Sequence, residues 1–351
     1  MMLWPGSLVI NRPSMAAARR LIVMKLSALK SAVLLFLISS VAAPAATEEK
    51  LNQRFAAQQG GTVVVEVDFG SIDVSTNVTS EVIVDVWRKI GRRKKADEEA
   101  FLRDNPVKFT QEGNTVTIRS PGTSKWSWSL IGRNENDAKY TISVPAKFNA
   151  QIKTGGGGVR LVDLTGEVKA HTGGGGLSFA RLHGALNGDT GGGGVTANDC
   201  EGALNFRSGG GGIEVSGGSG SLAGTTGGGS VSVRKFQGAA HVTTGGGGLI
   251  IENVDGGVDA STGGGSISAV LPSELADAVK LSTGGGGISV GVPATAAFYL
   301  DAKTSGGNVS TDLPVTMVGK MEEGRLQGPV NGGGKAVQLR SGGGSIHLKK
   351  L

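Results

Sequence analysis

The segment TGGGGVRLVDLTGEVKAHTGGGGL, residues 154–177, contains one complete copy of a repeating unit and the start of the next. Its two runs of four glycines begin 18 residues apart. The spacing continues along the chain, with runs that begin at Gly155, Gly173, Gly191, Gly209, Gly227, Gly245 and Gly263, and looser copies at Gly284, Gly306 and Gly342. A disordered low-complexity chain has no reason to keep a fixed spacing, so the period predicts structural repeats.

Each repeat contains two short stretches in which apolar and polar residues alternate. Counted from the first glycine of a run, positions 5 and 7 are apolar, and positions 14 and 16 are mostly apolar. Position 5 is occupied by Val159, Leu177, Val195, Ile213, Val231, Leu249 and Ile267. Alternation with a period of two predicts two strands per repeat, each with one buried face. One repeat cannot bury that face alone, so we predict an all-β fold, a single-stranded, β-helix-like β-solenoid with coils of 18 residues.

The glycines are predicted to form the corners between the strands. We expect the four-glycine run at one corner and the lone glycine of position 12 at the other, because sharp turns need positive φ angles. The residue before each run is Thr or Ser, as at Thr154, Thr172 and Ser208. Their hydroxyl groups are expected to form a ladder along one edge, bonded from coil to coil.

The first 45 residues have the pattern of an export leader. Lys25 and Lys30 precede an apolar stretch at 32–41, and Ala-Pro-Ala at 43–45 fits a cleavage site. The leader contributes five of the 35 Lys and Arg and no acid, which leaves 30 basic residues against 29 acidic ones. A nearly neutral mature chain argues against a general nucleic-acid binder.

Residues 46–153 are predicted to form an N-terminal, β-rich cap, because the terminal units of a solenoid must close an open end. Alternation and helical spacing in this region predict strands at Val82–Trp87, Thr115–Arg119 and Tyr140–Val144 and a helix at Ala96–Arg103. Residues 154–351 contain the repeats, which become irregular after residue 284.

The order of motifs resembles a known family. Gly-Ser-Ile-Asp-Val at 70–74, Tyr-Thr-Ile-Ser-Val-Pro at 140–145 and the repeated Thr-Gly-Gly-Gly units are similar to the bacterial putative-adhesin domain family, which is related to the toast-rack domains of envelope-stress systems. The resemblance implies a β-solenoid and an exported location, either periplasmic or at the cell surface or secreted. It implies no particular ligand and no catalytic residues.

Several kinds of chemistry do not fit the pattern. The glycine runs lead into strands rather than helices, unlike a phosphate-binding loop, and no aspartate follows them as in a calcium-binding roll. The four histidines occupy different repeat positions, so no metal site or cofactor is expected. The sole cysteine, Cys200, cannot form an internal disulfide and fits a small core residue.

An enzymatic alternative remains open at position 9 of the repeat. Asp163, Asp199 and Asn253 alternate there with Arg181 and Lys235. Carboxylates on neighbouring coils could serve acid–base catalysis on a polysaccharide, although salt-bridged surface residues explain the pattern more simply. We therefore expect a protein that is not an enzyme, with a carbohydrate-active β-helix enzyme as the alternative.

Two groups of residues in the cap are candidates for binding. The basic run consists of Arg88, Lys89, Arg92, Arg93, Lys94 and Lys95. It is either a solvated loop before an acidic helix or a contact for anionic envelope polymer or lipid headgroups. Trp126 and Trp128 lie two residues apart and either cap the apolar end of the solenoid or stack on sugar rings.

The expected function is that of an exported, non-catalytic, adhesin-like binding or structural protein of the cell envelope, associated with envelope stress through its family. Its expected partners are an envelope polymer, a glycan or an envelope protein. An uncapped last coil at Gly342–Leu351 would expose strand edges, which predicts end-to-end self-association.

Overall fold

The computed structural model describes residues 46–120, 135–316 and 323–351. The described residues lie in one compact unit, Ala46–Leu351, built from two sheets of 14 strands each. In the repeats, the strand after each glycine run belongs to sheet A and the strand before each run belongs to sheet B. Within the described ranges, no helix is long and apolar enough to cross a membrane.

The repeat strands alternate between the two sheets along the chain. Those of sheet A are β9 (Val159–Val162), β11 (Leu177–Ala180), β13 (Val195–Asn198), β15 (Ile213–Ser216), β17 (Val231–Arg234), β19 (Leu249–Glu252), β21 (Ile267–Val270) and β23 (Ile288–Val292). Those of sheet B are β8 (Phe148–Thr154), β10 (Val168–Thr172), β12 (Leu186–Thr190), β14 (Glu201–Ser208), β16 (Ser219–Thr226), β18 (Gln237–Thr244), β20 (Val258–Thr262) and β22 (Val279–Thr283). Neighbouring repeat strands within each sheet are parallel.

The register of these strands confirms the predicted coils of 18 residues. Leu177 pairs with Val159 on one side and with Val195 on the other, so residues at the same repeat position lie next to each other. The apolar positions face the space between the sheets and are buried. Phe179 and Phe206, for example, stack with their ring centroids 5.6 Å apart. The predicted solenoid fold is therefore confirmed.

The predicted reason for the glycine runs is wrong. Between Gly173 and Gly265 no glycine of a run has a φ in the left-handed range. The first and third glycines are required because the coils approach closely. A Cβ on Gly173 would lie 2.3 Å from the carbonyl oxygen of Gly155, and one on Gly175 would lie 2.0 Å from that of Gly157. A Cβ on the second glycine, Gly174, would meet nothing within 4 Å.

The hydroxyl groups before the runs do bond between coils, but they are buried rather than placed along an exposed edge. Thr244 is 1% exposed. Its Oγ1 donates to the carbonyl of Gly229, the third glycine of the preceding run, at 2.7 Å. The same Oγ1 accepts the N–H of Gly247, the third glycine of its own run, at 3.1 Å. The buried hydroxyl therefore satisfies two backbone groups, one from each coil, on the inner side of the corner.

The other corner contains left-handed residues at two repeat positions. Five of the lone glycines of position 12 confirm the prediction, with φ values such as 136° at Gly184 and 125° at Gly202, whereas Gly256 is not left-handed. Position 9 is also left-handed, although most of its residues are not glycine, with φ values of 61° at Asp163, 51° at Arg181 and 55° at Lys235. This conformation explains why Asp, Asn and Gly recur at position 9, since these residues tolerate it best.

At the N-terminal end, the first coil of the chain is not the outermost one. The elements are β1 (Thr47–Ala56), β2 (Gly61–Val67), β3 (Ser71–Asn77), β4 (Glu81–Gly91), α1 (Lys95–Asp104), β5 (Lys108–Glu112), β6 (Thr115–Ser120) and β7 (Glu135–Pro145). Sheet A begins in the order β1-β4-β7-β3-β9, and sheet B ends in the order β8-β2-β6-β5. The predicted strands and helix in this region are confirmed, and the first coil, β2 with β3, lies between two later coils.

The C-terminal end repeats this arrangement, so the predicted uncapped coil at Gly342–Leu351 is wrong. Its strands are β24 (Phe298–Thr304), β25 (Val309–Thr311), β26 (Arg325–Val330), β27 (Lys335–Ser341) and β28 (Ile346–Lys350). Sheet A ends in the order β23-β28-β25, and sheet B begins in the order β26-β24-β27-β22. The last coil is therefore paired on both sides, and β25 and β26 form the outer edges instead.

The close approach of the glycine runs can be tested with two neighbouring substitutions. Gly247→Ala places a Cβ 2.1 Å from the carbonyl oxygen of Gly229, whereas Gly246→Ala places one in open space. We expect Gly247→Ala to lower the free energy of unfolding by about 1–3 kcal/mol. Gly246→Ala should change it by less than about 0.5 kcal/mol. Equal effects in urea denaturation would contradict the proposed role of close stacking.

The buried hydroxyls can be tested at Thr226, whose Oγ1 donates to the Gly211 carbonyl at 2.7 Å. Thr226→Val leaves that carbonyl and the Gly229 N–H without a partner, so we expect a loss of about 1–3 kcal/mol. The adjacent Thr225 is exposed, and Thr225→Val serves as the control with an expected change within about 0.5 kcal/mol. Thermal and urea unfolding measure both. A stable Thr226→Val variant would show that the hydroxyl is dispensable.

Candidate binding surface at the N-terminal end

The basic run does not form a single surface, because Arg88 is buried. Strand β4 alternates in burial, and Arg88 lies on its inner face with 0% exposure. Its guanidinium forms an ion pair with Glu49 of β1, and its Nη1 donates to the carbonyl of Asn105 at 2.7 Å. Arg88 therefore connects β1 with the end of α1 and is not available to an external ligand. The prediction that Arg88 belongs to a binding surface is wrong.

Arg92 is also held by the protein, although less completely. Its guanidinium carbon lies 4.9 Å from the centroid of the Phe101 ring, on the following helix. Burial lowers the pKa of Arg92, and the nearby carboxylates of Glu98 and Asp97 partly oppose this shift. A cation that packs on an aromatic ring of its own chain positions that part of the chain and is less available to an external ligand.

Glu98 fixes the segment that carries the remaining cations. This side chain is buried, with its Oε2 accepting from Thr47 Oγ1 at 2.6 Å and its Oε1 accepting the Arg92 N–H at 2.8 Å. The hydrogen bond from Thr47, with those from the two backbone N–H groups, holds the pKa of Glu98 below its usual range. The carboxylate therefore joins the start of β1 to the end of β4, where the exposed basic residues begin.

Lys89, Arg93, Lys94 and Lys95 remain exposed, and we call these four residues the basic surface. Among the described residues, none of their side chains has an ion pair or a hydrogen bond. Lys94 is the N-cap of α1 and makes no side-chain capping bond. Cations at a helix N-terminus oppose the helix dipole, so helix stability does not explain their presence there.

Trp126 and Trp128 lie outside the described residues, and their predicted role in stacking or capping stays a prediction. A different tryptophan, Trp87, lies on the outer face of β4. Val82, Val84 and Val86 point inward on this strand, so the alternation of the sequence could have identified Trp87 as outward-facing. Sequence reasoning did not single out Trp87, because it considered only the basic residues that follow Trp87 in the chain.

Trp87 lies between two lysines on neighbouring strands. It pairs with Lys50 of β1 on one side and with Lys139 of β7 on the other. The indole Nε1 donates to Glu48 Oε2 at 3.2 Å, which orients the ring. A shallow depression of about 260 Å³ lies over these strands. It is lined by Lys50, Leu51, Asn52, Asp85, Val86, Trp87, Lys139 and Thr141.

Position 9 of the repeat gives little support to acid–base catalysis. Asp163 forms two hydrogen bonds with Arg181, at 2.6 and 3.0 Å, which lower the pKa of its carboxyl group. A general acid requires the opposite shift.

Another depression, of about 610 Å³, includes Asp255, Glu274 and Lys335.

Nucleophile and metal chemistry also find little support. Cys200 is 1% exposed, and burial raises the pKa of its thiol, as expected of a core residue and not of a nucleophile. In the described ranges, no group of three or more His, Cys, Asp or Glu could hold a metal ion.

Several proteins of known structure are similar to the chain over most of its length. A "putative lipid binding protein" from Parabacteroides distasonis is 13% identical, covering 86% of this chain and 97% of its own, with a TM-score of 0.36. A "putative adhesin" from Bacteroides fragilis is 12% identical with the same coverage and a TM-score of 0.30. A "putative cell adhesion protein" from Clostridium sporogenes is 13% identical, with coverages of 87% and 100% and a TM-score of 0.22.

No curated protein matches the chain. The family model described as Toastrack DUF4097, in contrast, matches residues 65–349. This match covers both sheets and most of the N-terminal elements, and the chain therefore belongs to the Toastrack DUF4097 family.

Proposed function

We propose that this protein is an exported, non-catalytic, adhesin-like module that binds an anionic polymer of the cell envelope through the basic surface. The solenoid then acts as the rigid body that holds this surface. The proposal combines the family, the export pattern of residues 1–45 and the exposed cations of the N-terminal end. The basic surface is the observation that carries it.

The basic surface concentrates cations without an ion pair on one short stretch, whereas many cations elsewhere on the solenoid have a partner. Many of those are matched by a carboxylate on a neighbouring strand or coil. Arg119 lies 2.7 Å from Glu66, Arg181 2.6 Å from Asp163, and Arg234 3.0 Å from Glu252. Lys89, Arg93, Lys94 and Lys95 form no ion pair among the described residues, although Lys89 lies opposite Glu48 and Asp137 on the neighbouring strands. Four cations without an ion pair on one short stretch leave positive charge for an external anion to neutralise.

A polymer fits this surface better than a small anion. One exposed ion pair contributes about 0–1 kcal/mol, because water and salt screen the charges. A chain of repeating anions can contact several of the cations at once, and each further contact is intramolecular after the first. Phosphate and carboxylate polymers share this chemistry, as do the headgroups of an anionic lipid surface.

The alternative of a carbohydrate-active enzyme has weaker support. Asp255 and Glu274 line one depression, but no further observation gives either carboxyl group the environment of a general acid or a nucleophile. Glu98 and Asp163, whose pKa values are lowered, are engaged by their own protein. A binding module therefore remains the better-supported function.

Binding to long-chain polyphosphate, with neutral dextran as the negative probe, tests the proposal. We expect Arg93→Ser, Lys94→Ser and Lys95→Ser together to weaken binding at low salt about tenfold, since three contacts of about 0.5 kcal/mol are lost. The matched control replaces Lys335, Lys349 and Lys350, which are also exposed, by Ser and changes the net charge equally.

The control variant should stay within about twofold of the parent protein, because its three cations are not at the basic surface. Equal losses in both variants would show that only net charge matters. Binding of the parent to phosphatidylglycerol vesicles but not to polyphosphate would assign the surface to lipid headgroups and contradict the polymer proposal.

A further inference from the structure

The outer face of sheet A near the N-terminal end combines an aromatic ring with a cation that the protein leaves unmatched. Trp87 and its neighbours Lys50 and Lys139 form one row across three strands. Directly opposite residues in an antiparallel pair have Cβ atoms about 4.5–5.5 Å apart, so each lysine stem borders the indole. Three adjacent strands supply the row, which gives it a rigid base.

A hydrogen bond from its ring nitrogen holds the indole of Trp87 and leaves both faces of the ring available for stacking. Its N–H is already satisfied by Glu48, so the remaining surface of the ring is apolar. Trp87 is only half-buried. An outward, oriented and partly exposed indole on a sheet provides a platform for the apolar face of another ring.

The two lysines differ in what they already contact. Lys139 Nζ lies 3.2 Å from Asp73, on the next strand of the sheet. The exposed side chain of Lys50 has no ion pair or hydrogen bond with any described residue. Lys50 is therefore the cation of this row that is available to an anionic group on a ligand.

Polar groups complete the depression on the side away from Glu48. Asn52 Nδ2 donates to Asp85 Oδ1 at 2.5 Å, which leaves Asp85 Oδ2 free to accept. Thr141 pairs with Asp85 across the strands and presents a hydroxyl to the same depression. An acceptor and a hydroxyl beside an apolar ring match the alternating hydroxyl groups and C–H faces of a sugar.

We propose that this depression binds a single acidic sugar residue. The sugar ring stacks on the indole of Trp87, its carboxylate pairs with Lys50, and its hydroxyls bond to Asp85 and Thr141. The volume of about 260 Å³ is below the usual range for drug-sized ligands, which fits one ring of a chain that continues across the open sheet. This inference deepens the proposed function, on which it rests, by naming an acidic polysaccharide as the envelope polymer.

Calorimetry with two trisaccharides tests the inference on the compact unit Ala46–Leu351. One probe is trigalacturonate and the other is its neutral galactose counterpart. We expect the unchanged protein to prefer the acidic probe. Trp87→Ala should weaken binding of the acidic probe about tenfold, and Trp87→Phe should retain part of it. Lys50→Gln should remove the preference between the two probes.

The matched aromatic control is Tyr299→Ala, at a side chain that is 41% exposed near the opposite end. It should bind trigalacturonate as the unchanged protein does. Thermal unfolding of each variant separates loss of the site from loss of the fold. Wild-type affinity in Trp87→Ala, or equal affinity for both probes in the unchanged protein, would overturn the inference.

The basic-surface variant distinguishes this inference from the proposed function. Arg93→Ser, Lys94→Ser and Lys95→Ser together should leave trisaccharide binding unchanged while polyphosphate binding falls. Polyphosphate binding without trisaccharide binding would contradict the proposed Trp87 site but support the proposed function. Trisaccharide binding that depends on Trp87, without any polyphosphate binding, would support the site and contradict the role of the basic surface.

Discussion

The structure depends on how closely one glycine run stacks on the next. At the first and third glycines, a carbonyl oxygen of the neighbouring coil occupies the space where a side chain would begin, as Gly155 does beneath Gly173. The buried hydroxyl before most runs then bonds to both coils, as Thr244 and Thr262 do. Because both contacts need like positions to coincide, they align each glycine run with the next one and leave any extra residues to the other corner. The longer coil after Gly263 places its extra residues between β21 and β22, at the other corner.

Periodicity predicted this architecture well, because an alternating pattern that repeats at constant spacing leaves few ways to bury its apolar face. The physical role of the glycines could not be read from the same pattern. A tight turn and a close contact between coils both select glycine, and only the φ angles and distances separate them. The turn at position 9 could not be read from the sequence either, because Arg181 and Lys235 adopt a left-handed conformation that their residue type does not suggest.

The candidate site was predictable only in part. The cluster of basic residues is visible in the sequence, and alternation along β4 already implied that Arg88 and Trp87 face opposite sides. The partners of these residues are remote along the chain. Arg88 meets Glu49 across 39 residues, and Trp87 meets Lys139 through a pairing of β4 with β7 that no local signal specifies. The sequence shows where the charged residues lie, but tertiary pairing decides which of them remain available to a ligand.

Both ends of the solenoid tuck the first or last coil of the chain beneath a coil from farther inside the sequence. At the C-terminal end, β27 and β28 cannot peel away without displacing β24 and β25, whereas at the N-terminal end β1 itself forms the outer edge of sheet A. The middle coils, which share length and register, carry no such interlock. Each is an exchangeable spacer of about 4.8 Å along the axis. The number of middle coils therefore sets the length of the solenoid, and whole coils can be added or removed without changing either end.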